Sequence, residues 1–127
     1  MKIKVTFQDK NTEEHKFYLN FIRFIQNKLP LKNNLKINFL NERIGNMTTG
    51  ARLPNNELNI LTKNRMNRDI LRTLVHEWVH EYQMTILGRE RGPNIGGKNE
   101  DEANAISAKL IKIFEKEHPN FEGKMYE

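Results

Sequence analysis

In residues 67–88 the apolar side chains recur with a helical period, and this stretch limits the fold more than any other feature. Leu71, Leu74, Val75, Trp78, Val79, Tyr82 and Ile86 fall on one side of a helical wheel. A side that broad has to be covered by other elements. The preceding residues can supply the cover. Ile3, Val5 and Phe7 alternate with polar residues over 2–7, as Leu35, Ile37 and Phe39 do over 35–39 and Leu58 and Ile60 over 57–62. That period of two predicts strands. Gly45, Asn46 and Gly50 suggest a hairpin around a short segment at 47–53, and Asn55-Asn56 turns the chain into the next strand.

Two more helices follow from the pattern. Phe17, Phe21, Phe24 and Ile25, joined by Tyr18 and Ile22, form a stripe that Pro30 ends, and Thr12 with Glu13 and Glu14 can open it after a turn at 9–11. Residues 89–99 carry Gly92, Pro93, Gly96 and Gly97 and read as a loop. A last helix over 100–117 stops at His118-Pro119. The expectation is an α+β fold. A short mixed or antiparallel sheet packs on an N-terminal helix, the 67–88 helix and a C-terminal helix, with residues 1–127 as one domain.

The chain has 127 residues and no cysteine. Disulfides, thiolate metal sites and cysteine nucleophiles are therefore excluded, and a reducing, cytoplasmic setting is expected. No apolar run approaches the roughly 20 residues of a membrane-spanning helix, and the alternating N-terminus does not read as a secretory signal. Lys and Arg number 21 against 16 acids, a net charge of +5. Nucleic acid or an acidic protein is thus an admissible partner, although solvated surface accounts for the charge more simply.

The 67–88 helix also carries His76-Glu77-Trp78-Val79-His80. Histidines four apart on a helix stack on one face, so both imidazoles can reach a single ion. They share a side with Thr73, Gln83 and Leu87, away from the apolar stripe. Glu77 lies about 100° round from His76, placed to serve a metal-bound water rather than the metal itself. Zinc fits this pattern because it brings the pKa of a bound water towards 7. A catalytic zinc needs a third protein ligand. The last helix offers Glu100, Asp101 and Glu102, and its apolar stripe reads through Ala103, Ile106, Leu110, Ile113 and Phe114. Glu102 falls within that stripe, where a carboxylate needs compensation by a cation. Glu100 lies near its edge and stands in reserve, and Asp101 points away.

At these residues the chain resembles the zincin metallopeptidases whose third ligand is a glutamate on a following helix, and more narrowly the ImmA/IrrE family with its small phage-type relatives. The similarity runs over residues 58–111. That family commonly reads His-Glu-x-Gly-His and then Glu-Ala-Asn-x-Phe-Ala; here Val79 replaces the glycine, Ile106 the phenylalanine and Ser107 the last alanine. The resemblance implies one Zn²⁺ held by His76, His80 and Glu102, with Glu77 as general base. The activity implied is a zinc endopeptidase acting on a protein or peptide, a DNA-binding repressor being one candidate.

An extended substrate would pair with a strand edge at 56–61 or 47–53. Gln83, Arg72, His118 and Tyr126 are candidate donors to the oxyanion, whereas Tyr82 faces the core side. A second reading is a non-catalytic zinc-containing adaptor. In it Arg65, Arg68 and Arg72 grip phosphate or an acidic protein together with the lysines of the first strand.

Overall fold

A computed structural model describes residues 2–8, 12–90 and 97–127. The alternating segments form β1 (Ile3–Phe7), β2 (Leu35–Leu40) and β4 (Glu57–Leu61), and the 47–53 segment contributes β3 (Gly50–Leu53). They make one sheet in the order β1-β2-β4-β3. The first three run parallel, and β3 lies antiparallel to β4, so the sheet is mixed. Asn55 and Asn56 carry the hairpin between β3 and β4 with φ of 66° and 59°. Asparagine tolerates that left-handed region better than most residues, and two such residues in succession match the twist of paired strands.

The helices are α1 (Thr12–Lys28), α2 (Asn67–Thr85) and α3 (Lys98–Glu117), followed by a 3₁₀ turn (Pro119–Phe121) and a short α4 (Glu122–Met125). The expected fold class is the observed one, with element ends within a few residues of those read from periodicity. The turn at residues 9–11, and residues 91–96 of the expected loop, lie outside the described residues.

Period-two alternation decides which side of the sheet the helices occupy. Ile37, Phe39, Leu58 and Ile60 share one core with Phe17, Phe21 and Ile25 of α1, Leu71 and Trp78 of α2 and Phe114 of α3. The intervening residues face the other way and are polar. There Thr6 Oγ1 donates to Asn38 Oδ1, and Asn38 Nδ2 donates to Asn59 Oδ1 at 2.9 Å, so the two buried asparagines are satisfied across the strands. Leu40, Met47 and Leu61 form a small second cluster with Ala51.

Polar contacts at both ends hold α2 in place. Asn67, buried at its first turn, accepts from Tyr18 Oη and donates through Nδ2 to the carbonyl of Lys124. Farther along, the buried Trp78 donates its indole N–H to the Leu29 carbonyl beyond α1. The α3 helix lies alongside, and its buried Ser107 hydroxyl donates to the Arg72 carbonyl. The histidine side of α2 therefore meets the first turns of α3. No helix among the described residues is long and apolar enough to cross a membrane.

Candidate metal centre

His76 and His80 project together from α2, with their Nε2 atoms 3.1 Å apart and their rings perpendicular. The carboxylate that meets them belongs to Glu100, in the first turn of α3. Its Oε2 lies 2.9 Å from His76 Nε2 and its Oε1 3.0 Å from His80 Nε2. These donor atoms all lie within 4.8 Å of one another. A tetrahedral ion with bonds of about 2.0–2.1 Å needs ligand atoms roughly 3.3 Å apart. The observed separations fall a few tenths of an ångström short of that, so the two imidazoles and the acid fit a divalent cation. Glu77 is not among the donors.

The candidate group differs from the sequence reading at one position, taking in Glu100, the residue held in reserve, and not Glu102. Glu102, expected as the third ligand, binds Arg89 and Gln83 instead. Arg89 Nη1 donates to Glu102 Oε1 at 2.7 Å and Gln83 Nε2 to the same oxygen at 3.1 Å. The cause is the rotational phase of α3. Its buried residues are Ala103, Ser107, Leu110, Ile111 and Phe114, whereas Ile106 and Ile113 are only partly buried. At about 100° per residue, that set centres roughly 35° from Glu100 and about 125° from Glu102. Ser107 lies outside the stripe read from the sequence. Its bond to Arg72 O is what allows it to be buried.

Each imidazole has a side-chain amide beside it. Asn104, one turn after Glu100 on the same face, lies beside His76. Gln83 Oε1 lies 2.9 Å from His80 Nδ1, and Gln83 is completely buried. Burial and, secondly, the neighbouring His80 hold the His76 imidazole below its usual pKa. That favours the neutral, metal-binding form. The Arg89 guanidinium, with Gln83 after it, holds the Glu102 carboxyl below the usual range. Gly88 brings Arg89 into place: at φ of 66° it turns the chain after α2, and Arg89 N–H donates to the Gln83 carbonyl.

Glu77 lies on the side of α2 that faces the sheet edge, and it is buried. Gly50, at the start of β3, is the contact that places it there. A Cβ on Gly50 would come within 2.5 Å of Thr73 Cγ2 and 3.2 Å of Glu77 Cγ. Only glycine allows the strand to lie so close to the helix. Arg52 of β3 braces the same approach, with its Nε donating at 2.7 Å to the buried Glu81 carboxylate of α2. Of the two edges expected for substrate pairing, β3 is the outer strand of the sheet, while β4 lies between β2 and β3.

The other candidate residues have local partners. Gln83 is committed to His80, Asn99 and Glu102. His118 stacks on Phe114 beyond the end of α3, with its Nδ1 3.2 Å from the Phe114 carbonyl. Tyr126 is exposed near the C-terminus, and Tyr82 packs against the core as expected. Arg65 donates to the carbonyls of Leu61 and Asp69 and to Thr73 Oγ1, and Arg68 pairs with Glu115 at 3.0 Å. Arg72 is exposed.

Sequence reasoning misses the roles of Asn104, Gly50, Arg52 and Arg89. The first was legible as the position four after Glu100, one helical turn on. The other three depend on contacts between elements distant in the chain. Comparisons with family models, with curated proteins and with solved structures found no match to this chain.

Proposed function

We propose that the chain is a metal-dependent peptidase, with zinc as the metal and with His76, His80 and Glu100 as its protein ligands. The observation that carries this reading is the convergence of two imidazoles and one carboxylate, from two helices, within 4.8 Å. Among the described residues the group has three members, the number that a catalytic zinc uses when it keeps one position for solvent. Bound there, zinc supplies Lewis acidity to the scissile carbonyl and acidity to a water molecule. This metal chemistry is also what an amidase would use. The β3 edge beside Glu77 is what favours an extended peptide.

The protein's own groups do the rest. The Glu77 carboxylate accepts the proton of the attacking water and delivers it to the departing amine nitrogen. Its neighbour β3 offers an outer edge whose backbone N–H and C=O groups can align an extended chain. Gly50 and Arg52 set the distance between that edge and the carboxylate. Glu77→Gln removes the base and preserves the shape. The expected outcome is zinc content equal to wild type, with peptide hydrolysis reduced by at least about 100-fold. Hydrolysis at the wild-type rate by that variant overturns the assignment. The parallel control is His80→Ala, which is expected to lose the metal when purified without chelator.

A further inference from the structure

The Gln83 side chain is completely buried beside a candidate ligand and is held at both ends. Its Nε2 has two neighbours, the Asn99 carbonyl at 3.1 Å and Glu102 Oε1 at 3.1 Å. A carbonyl oxygen and an ionised carboxylate can only accept, so the amide nitrogen must face them and the amide oxygen must face His80. Glu102 is in turn fixed by Arg89, through Nη1 at 2.7 Å and Nη2 at 3.4 Å. Gln83 Oε1 can only accept. The atom 2.9 Å from it, His80 Nδ1, must therefore carry the proton. The lone pair of the neutral ring is left on Nε2, the atom that faces His76 and Glu100.

We infer that Arg89, Glu102 and Gln83 form a positioning relay that fixes the tautomer and ring orientation of His80, so that His80 offers Nε2 and not Nδ1 to the metal. The inference rests on the metal site proposed above and goes beyond it. It gives Glu102 and Gln83 a function outside the ligand set, and it ties the chain that leaves α2 to the chain that enters α3. Partners of this kind, one step from the ligand, typically change metal affinity by about 10–100-fold when they are lost. Neither Gln83 nor Glu102 touches the metal or the substrate in this scheme. They act through His80.

The test uses zinc alone as the probe. Competition against a chromophoric chelator gives the Kd for Zn²⁺, and nitrogen-resolved NMR spectra of the imidazoles of zinc-loaded wild type show which nitrogen of His80 bears the proton. The expected result is Nδ1–H with zinc on Nε2, and an Nδ1 proton that exchanges slowly with solvent. Gln83→Met keeps the volume and removes the acceptor; it is expected to raise the Kd about 10–100-fold and to speed exchange of that proton. Glu102→Gln retains an oxygen for Gln83 but loses the charge facing Arg89, and its Kd is expected to fall between the two.

Zinc on His80 Nδ1 in wild type overturns the inference. So does a Kd for Gln83→Met within about twofold of wild type. Should Gln83→Met not fold, the wild-type spectrum and Glu102→Gln decide the matter. A wild type with zinc on Nε2, a slowly exchanging Nδ1 proton and no hydrolysis of any peptide supports the relay and overturns the peptidase reading, because neither readout involves turnover.

Discussion

At Gly50 the sheet edge and the motif helix come into van der Waals contact, and the missing side chain permits it. Thr73 cannot yield, because it is β-branched on a helix and its hydroxyl donates to Asp69 O and accepts from Arg65. Gly50→Ala therefore forces β3 away from α2. The expected cost in chemical denaturation is about 1–3 kcal/mol, and the proposed peptidase function adds the expectation of slower hydrolysis as Glu77 loses its neighbour. Thr73→Ser in that background removes the clashing methyl, keeps the hydroxyl and should restore much of the loss; no recovery would show that the contact is not the cause. Glu102 gives a second residue-scale expectation. Its carboxyl is held below the usual range, first by Arg89, so the ion pair contributes fully above the ordinary carboxylate value and is lost as pH falls through the lowered one. The stability gap between wild type and Glu102→Gln should hold from neutral pH down to the ordinary carboxylate range and close only below it. A gap that closes near neutral pH contradicts this ordering.

Elements were legible where one face of a segment decides its fate, and less so where two segments decide it together. The alternation in β1, β2 and β4 and the stripe in α1 are local properties, and they mark the elements to within a few residues. The turn at Asn55-Asn56 could likewise be read from turn chemistry. The rotational phase of α3 could not. It depends on burying Ser107 against the Arg72 carbonyl, a contact between residues 35 apart, and that phase selects Glu100 over Glu102. Strand order was equally hidden, because the parallel pairing of β2 with β4 leaves β3 outside and only tertiary contact settles it. Once β3 is the outer strand, Arg52 becomes its brace. Its partner Glu81 has a side chain only 2% exposed. Arg52→Met strands that carboxylate, and urea unfolding should show a loss of about 3–5 kcal/mol. Arg52→Met with Glu81→Leu, which removes both charges, should recover most of it. A double variant as unstable as the single one would mean that the strand, not the charge pair, accounts for the loss.

On the scale of the whole molecule, the candidate site closes the gap between two helices that the chain connects only through residues 86–97. His76 and His80 come from α2, while Glu100 comes from α3, and they meet beside the core that holds Trp78, Ala103 and Phe114. An ion bound there joins the helices in the folded protein, whereas in the unfolded chain its ligands are dispersed. Binding to the folded state alone adds about 2.7 kcal/mol at a free ion concentration of 100 times Kd. For a domain of this size that corresponds to a rise in Tm on the order of 10 °C. Zinc added to chelator-treated protein should produce such a rise in a thermal melt, and excess chelator should reverse it. His80→Ala should show almost none of the rise. Glu77→Gln should show nearly all of it, because Glu77 lies outside the donor set. Equal shifts for wild type and His80→Ala would place the ion elsewhere in the molecule. Equal loss of the shift in Glu77→Gln and His80→Ala would make Glu77 a ligand and remove it as the base.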